Sequence, residues 1–354
     1  MADKADGAGV WDGNLDTLPA AQLGPWKLPL PGALPPLENK VDYEALRQKR
    51  MAEVDEETRL INLPFPQQPQ GAPPPPMHEL APDLEARNVE VPGPAGPLQM
   101  RLYMPKQRKE PVGLYFHTHG GGWCLFDGLE NCDTENSMYA KDFGCAVAQV
   151  DFRVSWKAKF PAAVEDCFAA YKWVVENADE LGVDRTRIGI GGGCTGANLA
   201  TVVALMARDA GIQKPAVQWL WTPVFDTRNN TQTYEEFANY SLTQAQAEAV
   251  TRLYLRSKED TFDWRASPIL AETFEGMSPA IIWAGEWEVL REESRAYAAR
   301  AKEAGVDVTY IEGPQQPHAG IYARNPMTQK PTAYAAKARP EIHQLIRNYI
   351  GPRT

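Results

Sequence analysis

The stretch RIGIGGGCTGANLA, residues 187–200, joins a short apolar strand pattern, three glycines, a cysteine and the start of a helical pattern. A G-x-nucleophile-x-G turn between a strand and a helix holds its central residue in a strained backbone conformation. Glycines on both sides avoid clashes with the crossing helix. The central residue here is Cys194, between Gly192 and Gly196. The stretch therefore predicts a nucleophile elbow whose nucleophile is a thiol.

Strand patterns and helical patterns alternate on both sides of this turn. The strand patterns cover residues 98–104, 113–117, 145–152, 187–190, 216–221, 280–284 and 306–311, and the helical patterns cover residues 162–180, 196–208, 292–304 and 334–349. Such alternation is typical of α/β proteins with a mostly parallel, doubly wound sheet. We therefore expect an α/β fold with the elbow near its centre.

Two segments interrupt this pattern and predict a cap. Residues 1–88 form a proline-rich leader that contains a charged, moderately amphipathic helical pattern at residues 41–61. Residues 225–270 break the alternation and contain a helical pattern at 243–256. We expect residues 1–88 to form a leader and cap segment, and residues 89–354 to form the catalytic domain with a helical cap insertion at about 225–270.

Composition limits the class of partner. The 354 residues carry a formal net charge of −10 and no basic stripe, which argues against a nucleic-acid partner and favours a small-molecule substrate. No window reaches the roughly 18 apolar residues of a membrane span, and the N-terminus lacks a signal-peptide pattern, so a cytoplasmic location is expected. The five cysteines lack C-x-x-C spacing, which predicts reduced thiols, no metal site and no cofactor.

A glycine-rich loop follows the strand pattern at 113–117. Its sequence, HGGGW at residues 119–123, can turn several backbone N–H groups toward one point above the sheet. Together with the N–H of Thr195, the N–H groups of Gly121 and Gly122 are the predicted oxyanion hole. The alternative is a glycine loop that serves only tight packing.

A thiol nucleophile needs a base, and the chain has five histidines. His318 is the predicted base because it lies in a loop after the last predicted strand, where the chain order nucleophile, acid, histidine places it. His78 lies in a proline tract and His343 in the terminal helical pattern, so we expect structural or surface roles for both.

The third member of a triad should be a carboxylate after the strand pattern at 280–284. Glu288 is the predicted acid, which accepts the Nδ1–H of His318 and fixes its tautomer. Glu286 is the alternative acid. Glu292 and Glu293 are expected to be solvated charges.

Several of these motifs occur together in one known family. They are, in chain order, HGGGW at 119–123, Phe152-Arg153 with FPAA at 160–163, the elbow continued by Asn198-Leu199-Ala200, GEWEVL at 285–290, and Pro317-His318. Over about residues 90–350 the chain resembles the hormone-sensitive-lipase branch of the α/β-hydrolases. The resemblance implies a sheet of about eight strands, a cap built from the N-terminus and a later insertion, and hydrolysis of esters. Some relatives are dimers, and the sequence leaves open whether this chain forms a homodimer.

The departures from the family pattern concern the chemistry. The family's elbow is usually G-D-S-A-G, whereas Gly193, Cys194 and Thr195 replace its three central residues. The family's D-P-L acid motif is replaced by Glu288-Val289-Leu290, and its L-A-P-E by residues 154–157, VSWK. The nucleophile, the residue before it and the acid are therefore all changed.

Sulfur alters which substrates can react. A tetrahedral intermediate on Cys194 can expel either the thiolate, whose conjugate acid has a pKa of about 8.5, or a far more basic alkoxide. We therefore expect activated acyl groups, such as aryl or enol esters, lactones and thioesters, as in dienelactone hydrolases, which resemble this chain in having a cysteine elbow. Two alternatives stay open: an isomerase or cyclase that uses the thiolate for conjugate addition, and a ligand-binding protein without activity.

Aromatic residues neighbour the predicted catalytic loops along the chain. They predict an apolar pocket for a flat substrate, although core packing is the alternative for each one. By resemblance, such a substrate suggests specialised metabolism. The candidate substrate-binding residues are Trp123, Trp156, Phe160, Trp221, Phe225, Trp287 and Tyr322.

Overall fold

An eight-stranded sheet runs through the residues that the computed structural model describes, which are 41–65, 81–108, 111–325 and 327–353. Its strand order is β1-β2-β4-β3-β5-β6-β7-β8; β1 and β2 are antiparallel to each other, β2 is antiparallel to β4, and the other neighbours are parallel. The strands are β1 (Leu84–Val91), β2 (Leu98–Pro105), β3 (Val112–His117), β4 (Ala146–Val150), β5 (Val183–Gly193), β6 (Gln218–Trp221), β7 (Ala280–Gly285) and β8 (Val308–Gly313). The predicted mostly parallel α/β sheet is confirmed.

Helices cover both faces of this sheet. On one face, α4, α6 and α9 pack against the larger apolar core, and on the other, α3 and α10 pack against a second, more aromatic core. Because both faces are covered, the inner strands β4 and β7 are buried along their whole length and read as apolar runs. The helices are α1 (Tyr43–Glu53), α2 (Glu56–Ile61), α3 (Asp133–Phe143), α4 (Ala162–Glu176), α5 (Ala178–Leu181), α6 (Thr195–Asp209), α7 (Gln232–Glu236), α8 (Gln244–Tyr254), α9 (Arg291–Glu303) and α10 (Ala333–Ile350).

The helical pattern at 41–61 forms two helices instead of one. The side chain of Asp55 accepts a hydrogen bond from the N–H of Thr58 at 2.7 Å and starts α2 as its N-cap, which ends α1 just before it. The carboxylate of Glu57 then accepts bonds from the Asn325 side chain and the N–H of Ala333. The first described segment is thereby fixed to the catalytic half of the chain. His78 lies outside the described residues.

Residues 225–270 contain α7 and α8. Helix α8 begins after Thr243, whose hydroxyl accepts from the N–H of Gln246 while the Gln246 side chain accepts from the N–H of Thr243. At its middle, Val250 lies so close to Gly122 that a Cβ at that glycine would overlap it. The insertion therefore covers the glycine-rich loop. None of the described helices is long and apolar enough to cross a membrane.

Candidate active site

Cys194 lies at the tip of a tight turn between β5 and α6. Its φ of 55° falls in the left-handed region that side chains other than glycine rarely occupy, so the backbone there is strained. Gly192 and Gly196 both approach the carbonyl of Thr118 too closely to carry a Cβ. The N–H of Cys194 donates to the carbonyl of Trp221 at 3.0 Å, which fixes the turn to β6. The turn therefore has the geometry of a nucleophile elbow.

His318 and Glu288 lie together beside this turn. Nδ1 of His318 is 3.0 Å from Oε2 of Glu288, and Oε1 of Glu288 accepts from the N–H of Gly285 at 2.6 Å. Both side chains are buried. A carboxylate on Nδ1 requires that nitrogen to carry the proton, which leaves Nε2 free for a second partner.

The imidazole of His318 also contacts the sulfur of Cys194. Burial alone would lower the pKa of His318, but the negative thiolate, its hydrogen bond and the carboxylate of Glu288 together raise that pKa to about 10. These contacts favour the protonated form of the imidazole. The three side chains therefore hold a proton-carrying imidazole beside the sulfur of Cys194.

The glycine-rich loop passes on the other side of Cys194. Gly121 and Gly122 have φ values of 90° and 64°, which a side chain would strain, and the N–H of Trp123 donates to the hydroxyl of Thr195 at 3.2 Å. In the described part of the chain, the N–H groups of Gly121 and Gly122 have no acceptor. The N–H of Thr195 lies in the first turn of α6, where helices leave N–H groups unpaired. All three residues line the same cavity as Cys194.

His119 supports this loop as a neutral residue. Its ring stacks on Phe152 with 4.3 Å between centroids, and its Nδ1 is 2.9 Å from the carbonyl of Gly120. Burial lowers its pKa to about 4. His119 therefore donates from Nδ1 and orients the loop without adding charge to the site.

A cavity of about 870 Å³ opens above the sulfur and divides into two parts by the elements that line it. One part lies under the cap and includes Val224, Tyr234, Leu242, Ala247 and Val250. The other part lies between α3 and α10 and includes Glu135, Met138, Trp221, Tyr322 and Arg339. Cys194, His318 and the glycine-rich loop line the same cavity.

Residues 115–321 match the Abhydrolase_3 family, described as an alpha/beta hydrolase fold. The chain belongs to this family. It is 36% identical over 237 residues to the carboxylic ester hydrolase LipN of Mycobacterium tuberculosis. This aligned region covers 64% of this chain and 62% of LipN. It is 32% identical over 226 residues to an arylesterase of Saccharolobus solfataricus. This aligned region covers 63% of this chain and 72% of that enzyme.

Solved structures show the same architecture. The carboxylesterase EstE1 from a metagenomic library superposes with a TM-score of 0.69 at 29% identity, over 88% of this chain and 99% of EstE1. An esterase of Pyrobaculum calidifontis superposes with a TM-score of 0.68 at 28% identity, over 87% of this chain and 94% of that protein. The predicted α/β-hydrolase fold is thereby confirmed.

The aromatic candidates divide into two groups. Trp123, Trp221 and Tyr322 line the cavity. The other four lie elsewhere, which corrects the expectation that they border the substrate. Trp156 is 59% exposed, whereas the remaining three pack in the core, namely Phe160 on Tyr254, Phe225 on Tyr297 and Trp287 on Tyr240.

The acidic run after β7 also needs a correction. Glu293 was expected to be solvated, but it is fully buried and accepts hydrogen bonds from the N–H groups of Phe225 and Asp226. Burial, followed by the nearby carboxylate of Asp226, raises its pKa well above the ordinary value. Glu286, the alternative acid, accepts from the N–H of Gln315 and so supports the His318 loop without contacting the imidazole.

Sequence reasoning missed several residues of the cavity. Phe65 packs edge-on against His318 with 6.1 Å between centroids, and Tyr234 and Asn229 join the wall under the cap. No local pattern marks these residues, because they reach the site only when distant segments dock on the sheet. The predicted role of residues 1–88 as a cap indicates that this segment lines the cavity. It does not indicate that Phe65 is the residue that does so.

Proposed function

We propose that this protein is a cysteine-dependent hydrolase that cleaves an activated acyl bond of a small, largely apolar substrate through an acyl-Cys194 intermediate. One observation carries the proposal: the Cys194 sulfur contacts His318, and His318 is held by Glu288 at 3.0 Å. Relatives with the same fold are named as ester hydrolases. We further propose that the substrate belongs to specialised metabolism, because the chain resembles family members of that kind and aromatic side chains line its cavity.

In the first step the thiolate of Cys194 attacks the carbonyl carbon, and the C=O electron pair moves onto oxygen. The unpaired N–H groups of Gly121 and Gly122, with that of Thr195, receive this oxyanion. Each such donor contributes about 2.7 to 4 kcal/mol to the stability of the transition state. The loop is held in position before the reaction by His119 and by the Trp123–Thr195 contact.

Collapse of the intermediate decides which substrates react. The bond from the acyl carbon to the leaving oxygen, or to the leaving sulfur of a thioester, breaks when His318 gives its proton to that atom, and an acyl thioester on Cys194 remains. A thiolate is a better leaving group than an unassisted alkoxide, so alkyl esters return to substrate while aryl esters, enol esters, lactones and thioesters go forward. His318, now neutral, is ready to act as a base.

In the second step water replaces the leaving group. Nε2 of His318 takes one proton from water as its oxygen attacks the thioester, and Glu288 stabilises the imidazolium that forms. The carboxylic acid leaves, and the thiolate and imidazolium are restored. The balance over both steps is the addition of one water across the acyl bond.

The test is a substrate panel with product masses. Purified protein is given phenyl, alkyl, thio- and lactone esters of the same acyl group, with Cys194→Ala as the control. We expect the activated esters to be hydrolysed about 100-fold or more faster than the alkyl ester. This ratio corresponds to a difference of about 2 to 3 kcal/mol between the barriers to expulsion of the two leaving groups. Equal rates on alkyl and activated esters, or products of unchanged mass, would contradict the proposal.

A further inference from the structure

The part of the cavity between α3 and α10, here called the α3–α10 lobe, is lined by Glu135, Met138, Trp221, Tyr322, Arg324 and Arg339. We propose that the α3–α10 lobe binds a carboxylate on the substrate, with Arg339 as the main ligand. This inference rests on the proposed function, because the carboxylate is taken to belong to the molecule that is cleaved. The binding experiment that tests it does not require catalysis.

The guanidinium of Arg339 borders the lobe with an unpaired donor. Its Nε is buried without a hydrogen-bond partner, and in the described part of the chain no carboxylate lies within ion-pair distance of its guanidinium. Other arginines of the protein, such as Arg153 and Arg228, form forked bonds with Asp166 and Asp226. A guanidinium that borders a cavity with a free Nε is suited to a planar carboxylate from a ligand.

The carboxylates in the lobe are already engaged. Oε1 of Glu135 accepts from the hydroxyl of Tyr139 at 2.6 Å and lies 3.6 Å from Nε2 of His117. Oδ2 of Asp142, on α3, is 2.7 Å from Nδ1 of His343, on α10. Neither carboxylate forms an ion pair with Arg339.

The guanidinium groups of the lobe lack carboxylate partners. Arg324 and Arg339 form no ion pair in the described part of the chain, whereas Glu135 and Asp142 already have other partners. Burial lowers the pKa of His343, which keeps that ring neutral and adds no charge. Two guanidinium groups without a carboxylate partner, in a chain with a net charge of −10, favour an anion at this place over the rest of the surface.

An aromatic wall joins the nucleophile to Arg339. The ring of Trp221 covers Gly193, directly before Cys194, and Tyr322 packs edge-on against Trp221 with 4.8 Å between centroids. The guanidinium of Arg339 lies close enough to the Tyr322 hydroxyl to act on it electrostatically. A flat or extended chain can therefore run along this wall with its acyl carbon at Cys194 and its carboxylate at Arg339.

The experiment measures binding of unreactive anilides by titration calorimetry. One matched pair is 4-acetamidobenzoate and N-(4-methylphenyl)acetamide, which differ by a carboxylate on the leaving-group side. The other is the monoanilide of hexanedioic acid and hexananilide, which differ by a carboxylate on the acyl side. We expect one pair to show at least about tenfold tighter binding of its anion, the effect of one charge-assisted hydrogen-bond pair.

Variants assign this preference to Arg339. In Arg339→Met the preference should fall below about twofold, and in Arg339→Lys it should be intermediate, because lysine keeps the charge but loses the fork. Lys337→Met is the matched control, since it removes a positive charge from an exposed position of the same helix outside the cavity and should retain the full preference. Thermal unfolding of each variant verifies that it is folded.

Two outcomes would overturn the inference. The first is equal affinity for anion and neutral partner in both pairs with the unmodified protein. The second is an anion preference that survives Arg339→Met. A protein that keeps the Arg339-dependent preference but cleaves no ester would instead reject the proposed function and leave the anion site standing.

Discussion

Glu288 carries one methylene more than the aspartate usual in the family that the chain resembles, and the structure accommodates it locally. One carboxylate oxygen is held by the N–H of Gly285, so the side chain folds back on the end of its own strand. The other oxygen stays at 3.0 Å from Nδ1 of His318. The longer acid thus reaches the imidazole by folding back on its own strand.

This contact has a consequence for the pH dependence. The pKa of His318 is raised to about 10, first by Cys194 and then by Glu288, so the imidazolium should persist until the pH approaches that value. Glu288→Gln removes a negative charge, lowers this pKa and moves the alkaline limb of kcat/KM to lower pH, with a loss of rate of up to about 10⁴-fold. The profile is measured on an aryl ester.

Glu286→Gln is the matched control, because its side-chain oxygen can still accept from the N–H of Gln315. Its alkaline limb should coincide with that of the unmodified protein. An unchanged limb in Glu288→Gln would show that Glu288 does not support the imidazolium.

Gly193 and Trp221 form a second residue-level pair. A side chain at position 193 would overlap the ring of Trp221, so this tryptophan requires a glycine where the family usually has aspartate. Gly193→Asp should lower the free energy of unfolding by about 1 to 3 kcal/mol through overpacking. The double variant Gly193→Asp/Trp221→Ser should recover part of this loss, with a coupling above about 0.5 kcal/mol in denaturant titrations. Strictly additive effects would contradict the pairing.

At the scale of elements, the segment after α2 brings Phe65 to the site. Phe65 lines the cavity, packs edge-on against His318 and is bonded through its N–H to the carbonyl of Ser241 under the cap. Phe65→Ala should raise KM for an aryl ester about 3- to 10-fold with a smaller change in kcat, since it removes an aromatic contact of about 0.5 to 1.5 kcal/mol.

Leu345→Ala is the control for this prediction, because Leu345 is also partly exposed but lies on α10 away from the cavity. Its KM should match that of the unmodified protein. If both variants behave alike, the leader does not contribute to the site.

The elements of the site differ in how far the sequence predicts them. The elbow and the glycine-rich loop are local patterns whose backbone requirements are visible in the residue types, so their placement follows from the sequence. The split of residues 41–61 into α1 and α2 depends on Asp55 acting as an N-cap, which the amphipathic pattern conceals. The approach of Phe65 to His318 depends on docking between distant segments, which no local pattern encodes.

At the scale of the whole molecule, the buried acid Glu293 links stability to pH. Its pKa is raised in the folded state, so the folded protein binds more protons than the unfolded chain above the ordinary glutamate pKa. Its contribution to stability is therefore lost as the pH rises above about 4.3. Glu293→Gln should flatten this decline by up to about 1.4 kcal/mol per pH unit.

The measurement is the free energy of unfolding from urea titrations between mildly acidic and neutral pH. Glu292→Gln is the control, because its neighbouring carboxylate is only partly buried and pairs with Arg291 and Arg295. A steeper decline in Glu293→Gln than in the unmodified protein would contradict the buried neutral acid.

The fold of the whole chain follows from the alternation of strand and helix patterns, because strands that are covered on both faces must be apolar along their length. The burial of individual side chains does not follow in the same way. Phe160, Phe225 and Trp287 neighbour catalytic loops in sequence, yet they pack away from the cavity, whereas Glu293 is buried despite its charge. Sequence proximity to a loop indicates the element but not the face that a side chain occupies.

The proposed function depends on transfer of the acyl group to the sulfur of Cys194. The most direct measurement is intact-protein and peptide mass spectrometry of the protein quenched in acid during turnover of 4-nitrophenyl acetate. An acyl-Cys194 intermediate predicts one acetyl group on the peptide that contains Cys194, formed with a burst of nitrophenol and absent from Cys194→Ala. Turnover by Cys194→Ala at the rate of the unmodified protein, or an acetyl group on another residue with none on Cys194, would contradict it.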